Sequence, residues 1–219
     1  MTSDSAAQRS PLRPHDLLWC DDVALPEGMA VPGWVRGALA TGAPAVVRRA
    51  PLAQPDLVPV GLRGTSRDQR VAAHVPRRSV RRIVSPESLL EHVARIAPTT
   101  PLPCLRALRD LAPALNALGL HWGPTGGVGF TLASGLPALH PQSDLDLLIR
   151  LPFPPSDAQC DALAWIARDR TCRIDIQIDT GRGGFSLREW LRSPPRTLVK
   201  TDGGPTLVVD PWGDLGDAA

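Results

Sequence analysis

Asp144 and Asp146 stand one residue apart in "QSDLDLLIR", residues 142 to 150, inside a run whose leucines alternate as they would in a strand. On a strand, residues i and i+2 project from one face about 7 Å apart, so the two carboxylates point together while Leu145 and Leu147 point to a core. Paired carboxylates repel unless water, a cation or a basic group neutralises them. At an exposed strand end they suit Mg²⁺, which takes oxygen ligands in octahedral geometry and keeps several waters. Asp175, in the strictly alternating "CRIDIQID", is the natural third carboxylate from a neighbouring strand. Three such groups can hold two ions, a clamp that serves both the attacking and the leaving oxygen of a phosphoryl transfer. Asp179 shares the face of Asp175 but lies four residues further along, beyond the expected metals.

Upstream, "GPTGGVGF" places Gly126 and Gly127 on an expected turn between Gly123 and Gly129. Glycines let backbone N–H groups approach phosphate oxygens with no Cβ in the way. No GK[ST] follows, so this is not a Walker loop. A dinucleotide fingerprint is set aside because it needs a strand–helix unit with an acidic residue about 20 positions on, which the pattern does not suggest here. Taken singly, D-x-D is an ordinary surface pattern and Gly-Gly an ordinary turn. In this order, with a single acidic residue on a later strand, they supply the parts that metal-assisted phosphoryl transfer needs.

The elements that must carry these residues follow from local patterns. Ser156 caps a helix in "DAQCDALAWIARD", with Cys160, Leu163, Ala164 and Ala167 on one side. After it, Ile174, Ile176 and Ile178 face one way and Arg173, Asp175, Gln177 and Asp179 the other. Before the glycines, Ser85, Pro86 and Glu87 read as a helix start, and Leu105, Leu108, Leu111, Leu115 and Leu118 repeat at helical spacing up to Gly119, with Pro113 expected to kink or restart that helix. "APAVVRRA" and "LVPVGLRG" read as short strands, "FSLREWLRSP" as a short helix, and "RTLVKTDGGPTLVVDPW" as a closing pair of strands. The pattern predicts an α+β fold. A small mixed β-sheet carries helices on one face, and a small N-terminal α/β module precedes it. The expected division is a disordered tail over 1–12, the N-terminal module over 13–80 and the catalytic domain over 81–219.

Composition excludes more than it selects. Hydrophobic residues make up 43% and charged residues 21%, as in an ordinary globular protein. There is no secretory h-region at the start and no apolar run of membrane-spanning length, so the expected location is cytoplasmic, with no membrane partner. The net charge of +2 does not point to a nucleic acid. Cys20, Cys104, Cys160 and Cys172 show no paired spacing and read as reduced thiols. Lys200 is the only lysine. Seven arginines fall between Arg63 and Arg82; the stretch reads as a solvated surface with a loop, or as a surface that steers an acidic partner. The histidines have no metal-ligand spacing: His15, His121 and His140 read as structural. The six tryptophans read as core, with Trp122 placed to stack on a base beside the glycine turn.

The order of glycine pair, D-x-D and third acid resembles the polymerase-β-type nucleotidyltransferase superfamily, with a longer gap than usual, sixteen residues, between Gly127 and Asp144. The surrounding text narrows this. "RPHDLLW", "VPVGLRG" at 58–64, "LGLHWGPTGGVGFTLASGLP" at 118–137, "SDLDLLIR" at 143–150 and "KTDGGPTLVVDPW" at 200–212 together resemble the malonate decarboxylase holo-acyl-carrier-protein synthases, which are phosphoribosyl-dephospho-CoA transferases. Gly127 stands where such enzymes commonly carry serine. The resemblance implies a triphosphoribosyl-dephospho-CoA donor and the apo acyl-carrier-protein subunit of malonate decarboxylase as acceptor. It also implies two Mg²⁺ ions on Asp144, Asp146 and Asp175, with Asp175 nearest the attacking serine. Gly126, Gly127, Ser143 and Lys200 would then contact the donor, Lys200 beside the departing pyrophosphate. Three other readings stay open: AMP transfer from ATP, the analogous transferase of citrate lyase, and a non-catalytic scaffold with this fold.

Overall fold

The apolar residues fold into two sheets. The computed structural model describes residues 11–213 except 26–28, 52–53, 67 and 169–170; Arg67 and most of the expected tail therefore lie outside the described residues. The first sheet is antiparallel throughout, in the order β4-β3-β2-β1-β5. Its strands are β1 (Leu17–Cys20), β2 (Ala45–Val47), β3 (Leu57–Arg63), β4 (Arg70–Pro76) and β5 (Val80–Val84). Helix α1 (Gly33–Ala40) packs Val35 onto Val58, Val60, Ala73 and Val75. The second sheet is mixed, in the order β11-β10-β9-β8-β7-β6. Its strands are β6 (His121–Pro124), β7 (Leu145–Arg150), β8 (Ile174–Asp179), β9 (Gly184–Ser186), β10 (Thr197–Thr201) and β11 (Gly204–Val208). Only β7 and β8 run parallel. The remaining helices are α2 (Leu90–Val93), α3 (Pro103–Ala117), α4 (Gly126–Ser134), α5 (Asp157–Ile166) and α6 (Leu187–Trp190). The expected α+β class holds, and among the described residues no helix is long and apolar enough to cross a membrane.

Strand alternation decides which face of the second sheet meets what. Leu145, Leu147, Ile149, Ile174, Ile176 and Ile178 share one buried cluster with Leu108, Leu111 and Leu115 of α3 and Leu163 and Ile166 of α5. The opposite face carries Asp146, Leu148 and Arg150 on β7, in register with Asp175, Gln177 and Asp179 on β8. The first sheet docks on that polar face. His15 reaches Gln177, with 3.0 Å between its Nε2 and the amide nitrogen, and Arg49 donates to Asp179 at 2.6 Å.

A buried ionic cluster closes one end of this contact. Asp179 accepts from Arg49 on one oxygen and from Arg150 on the other, and the Gly181 N–H adds a bond at 2.8 Å. Arg150 also donates to Glu87 and to the Pro14 carbonyl, each at 3.0 Å. Only 4% of the Asp179 side chain and about a tenth of each arginine reach solvent, so all three charges are desolvated and depend on one another. Burial pushes the Glu87 carboxyl up, but hydrogen bonds from its own backbone and from Arg150 outweigh this and hold it below the usual range. Asp16 moves the other way: its burial raises it despite a hydrogen bond from the Arg13 N–H.

Four local readings differ from the structure. The basic stretch after Arg63, read as a solvated surface with a loop, keeps its exposed arginines but runs mostly as strand, β4 and β5, because Ala73, Val75, Val80 and Val84 fill the first sheet's interior. The helix expected from Ser85 is a 3₁₀ turn (Glu87–Leu89) leading into the one-turn α2; Pro98 and Pro101 bar any continuation. Helix α3 is continuous through Pro113. Trp122 is fully buried, donating to Asn116 at 3.0 Å, and has no face for a base, whereas Trp165 is 65% exposed.

Asp179→Ala leaves Arg49 and Arg150 buried without their counter-charge. It should cost about 3 kcal/mol of stability, seen as a lowered urea midpoint.

Candidate active site

Parallel strands need a crossover connection, and here α5 provides it between β7 and β8. Its start is set by a capping box: the Gln159 N–H donates to the Ser156 hydroxyl at 3.3 Å, and the Ser156 N–H donates to the Gln159 side chain at 3.0 Å. The result brings Asp146 and Asp175 side by side as register partners. Asp144 lies just before β7. It is presented by a turn in which the Ser143 N–H donates to the His140 carbonyl at 2.9 Å and the His140 N–H donates to the Ser143 hydroxyl at 3.0 Å. Arg173 sits between the outer carboxylates, 3.0 Å from Asp175 and 4.0 Å from Asp144. Burial raises the Asp146 pKa, and the negative charges of Asp175 and Asp144 raise it further. The three aspartates thus affect one another electrostatically, but no three His, Cys, Asp or Glu side chains among the described residues form a ready-made metal cage.

The glycine pair begins a helix and is not merely a turn. Gly126 is the first residue of α4 and has φ +56°, and a Cβ there would overlap the Asp146 carboxyl. Only glycine allows that approach without strain. The Thr125 N–H donates to the Asp146 carbonyl at 2.8 Å, tying the helix start to β7, and Thr125 makes no side-chain cap. Gly127 faces away from the carboxylates: a Cβ there would lie 3.1 Å from Leu139 Cδ2 and 3.4 Å from the Ala138 carbonyl. The long gap before Asp144 holds the rest of α4, its left-handed Gly135 cap and the connector to β7. A strand–helix unit does therefore exist here, from β6 into α4, with Asp146 placed 20 positions after Gly126. Antiparallel pairing of β6 with β7 is what separates it from a dinucleotide-binding βαβ unit.

A cleft of about 930 Å³ opens over this corner, between the two sheets. Gly126, Asp146, Asp175 and Arg173 line one wall, with Lys200 from β10 and Gln177 beside them; Arg63 and Arg70 come from the first sheet, and His15 and Arg48 from the residues flanking its β1 and β2. Asp144, Gly127 and Ser143 are not among its lining residues. Beyond His15 and Gln177 the cleft continues into a second one of about 570 Å³, which shares Arg48 and Lys200. Sequence patterns did not reveal Arg48, Arg63, Arg70 or Arg173 as site residues. The available signals were that Arg63 and His15 fall inside "VPVGLRG" and "RPHDLLW", and that Arg63 and Arg70 belong to the basic stretch, which pointed to an acidic partner and not to this cleft.

His15 has an unusual backbone for its type, φ +74°, fixed by its N–H donating to the Val47 carbonyl at 2.9 Å. Burial lowers its pKa to about 4; Arg150, Arg49 and Lys200 add to that, and Asp179 opposes it. The imidazole is neutral at pH 7.

Comparison with known proteins places the chain in a family. Residues 13–86 match the family model for the phosphoribosyl-dephospho-CoA transferase MdcG N-terminal domain, and residues 89–211 match that for its C-terminal domain. The chain is 49% identical over 208 residues to a phosphoribosyl-dephospho-CoA transferase of Pseudomonas aeruginosa, an alignment spanning 94% of this chain and 96% of that protein. Proteins of the same name from Pseudomonas putida strain W619 (46%, spanning 94% and 98%) and Azotobacter vinelandii (44%, spanning 93% and 95%) are similar over comparable lengths. No solved structure matches the chain.

Two outcomes are expected. Gly126→Ala forces a left-handed alanine and displaces the Asp146 carboxyl, so turnover should fall at least tenfold and stability should drop by about 1–3 kcal/mol, read from kinetics beside a denaturant curve. The depressed His15 pKa means the unfolded chain takes up a proton first as pH falls. Its cost to stability is absent above pH 6.5 and complete near pH 4. Wild type should therefore lose up to about 1.4 kcal/mol per pH unit in that window relative to His15→Asn, measured by urea denaturation across the range.

Proposed function

This chain belongs to the phosphoribosyl-dephospho-CoA transferase family, enzymes of the nucleotidyltransferase type, and from that premise we propose a specific reaction for it. The donor is 2′-(5″-triphosphoribosyl)-3′-dephospho-CoA and the acceptor is a serine of the apo acyl-carrier-protein subunit of malonate decarboxylase. The serine oxygen attacks the phosphorus nearest the ribose, the bond to the next phosphate breaks, and pyrophosphate departs with the bonding electrons. A phosphodiester joins carrier to prosthetic group, and the serine proton passes to a base.

The observation that carries this reading is the pairing of Asp146 with Asp175 across parallel strands, at the wall of a cleft whose far side is lined by arginines. Cations opposite carboxylates suit a polyphosphate whose charge must be held on both sides. Asp146 and Asp175, with Asp144 at their edge, fit Mg²⁺ on the chemistry of their donors. They are hard oxygens, and the burial and mutual repulsion that together raise the Asp146 pKa are both offset by a cation. Mg²⁺ is commonly held by one or two carboxylates with substrate phosphates and water completing the shell, so a closed cage of protein ligands is not required. Bound there, it would neutralise phosphate charge and acidify the attacking hydroxyl.

The chain's own groups do the rest. The start of α4 at Gly126, on the cleft wall, offers its backbone N–H to the departing phosphates, with no side-chain cap competing for it. Asp175, half-buried beside Arg173, receives the serine proton. Lys200, on the cleft wall, balances charge on the pyrophosphate. Ser143 acts through the turn that presents Asp144.

Incubation of the full chain with the donor and the apo carrier subunit should add the prosthetic group's mass to a carrier serine with Mg²⁺ and not with EDTA. Asp146→Asn and Asp175→Asn should each lose roughly a thousandfold in turnover without a change in unfolding midpoint. Label transfer from ATP instead of this donor would replace the donor assignment with AMP transfer, and near-normal turnover in either variant would overturn the carboxylate roles.

A further inference from the structure

The first sheet brings two arginines to the carboxylates in an arrangement that lacks a counter-charge. Arg63 ends β3, Arg70 opens β4, and the two are register partners across the hairpin. Like charges directly opposite on neighbouring strands destabilise a sheet. Burial lowers the Arg63 pKa, and the charge of Arg70 lowers it further. Neither guanidinium belongs to an ion pair among the described residues, although the Arg70 charge is felt at Asp146.

Arg63 is also held in place. Its guanidinium lies over the Phe130 ring, 5.0 Å from the centroid, and its Nε is buried with no hydrogen-bond partner. One of its terminal nitrogens lies 4.0 Å from where a Cβ on Gly127 would stand. Phe130 and Gly127 both belong to α4, the helix whose first residue abuts Asp146. The hairpin is thereby fixed against the helix that carries the glycine pair. Two other arginines of the run have partners away from the cleft: Arg81 pairs with Asp21, and Arg82 lies 4.5 Å over Trp19.

Resting on the donor class read above, we propose that Arg63 and Arg70 bind the polyphosphate of the donor, so that the active site is assembled from both sheets. β7 and β8 supply the carboxylates, and the β3–β4 hairpin supplies the anion-binding guanidiniums. Planar guanidinium forks bind phosphate oxygens in pairs, and an anion between the two arginines removes the repulsion between them. The first sheet is then part of the substrate site, whatever it also does for a carrier protein.

The test uses the full chain and inorganic tripolyphosphate, with binding measured by calorimetry. Arg63→Met keeps the apolar stem on Phe130 and removes the charge; Arg70→Met does the same at the partner position. Each should weaken tripolyphosphate binding roughly tenfold or more, raise the KM for the donor in parallel, and leave affinity for the apo carrier protein unchanged. Arg81→Met, outside the cleft, should bind tripolyphosphate as wild type does. Arg63→Lys keeps a charge but loses the fork, and should show a smaller loss with an unchanged unfolding midpoint, which serves if the methionine variant folds poorly. Wild-type binding in both methionine variants, an equal loss in Arg81→Met, or a loss of carrier affinity in place of tripolyphosphate affinity would overturn the proposal. Absence of transfer from the proposed donor, with tripolyphosphate binding still dependent on Arg63 and Arg70, would remove the donor assignment and support the anion site.

Discussion

The polar face of β7 and β8 is the surface on which the rest of the structure depends, and the Arg150–Asp179 pair is what makes it a joint. A sheet with helices on one side has a second face to satisfy, and here that face carries aspartates, an arginine and a glutamine. Left to water it would be an ordinary solvated face. Covered by the first sheet, it must be neutralised group by group, because desolvated charge is expensive unless paired. Asp179 is satisfied by two arginines and a backbone N–H, Arg150 by Glu87, Asp179 and a carbonyl, and Gln177 by His15. The carboxylates at the other end of the same face, Asp146 and Asp175, are left facing a cleft.

One strand face therefore does two jobs along its length. Its far end fastens the two sheets together, and its near end leaves its charges facing the cleft. This division explains why Asp175 and Asp179, on one face of one strand, have different roles: position along the strand relative to the docked sheet decides which carboxylate is consumed by structure. It also accounts for the cation content of the cleft. The sheet that covers the latch extends its β3–β4 hairpin over the carboxylates and brings Arg63 and Arg70 with it.

The glycine pair shows a similar economy. Gly126 is required where the helix start must approach the Asp146 side chain, and the same uncapped start leaves backbone N–H groups available to an anion. Gly127 packs toward the connector between α4 and β7, which is tight but not closed to a small side chain. A serine there is a matter of a few tenths of an ångström in Leu139, whereas any side chain at Gly126 disturbs the carboxylate itself.

Much of this was legible in the sequence because it depends on local period. Alternating isoleucines and aspartates mark β8, Ser156 and Gln159 mark the start of α5, and the glycine pair, paired aspartates and third aspartate stand out by type and spacing. What only the tertiary structure decided involves contacts with no local signature. Asp146 meets Asp175 because β7 and β8 pair in parallel with this register, and a shift of one residue would have turned Asp175 into the core. Arg49 reaches Asp179 across 130 residues, and Arg150 reaches Glu87 across 63. Arg63 and Arg70 read as surface because a basic hairpin looks the same whether water or a second sheet faces it. Local patterns report which side of an element is buried. They do not report what is on the other side, and that was fixed by the docking of the two sheets and the need to leave no desolvated charge without a partner.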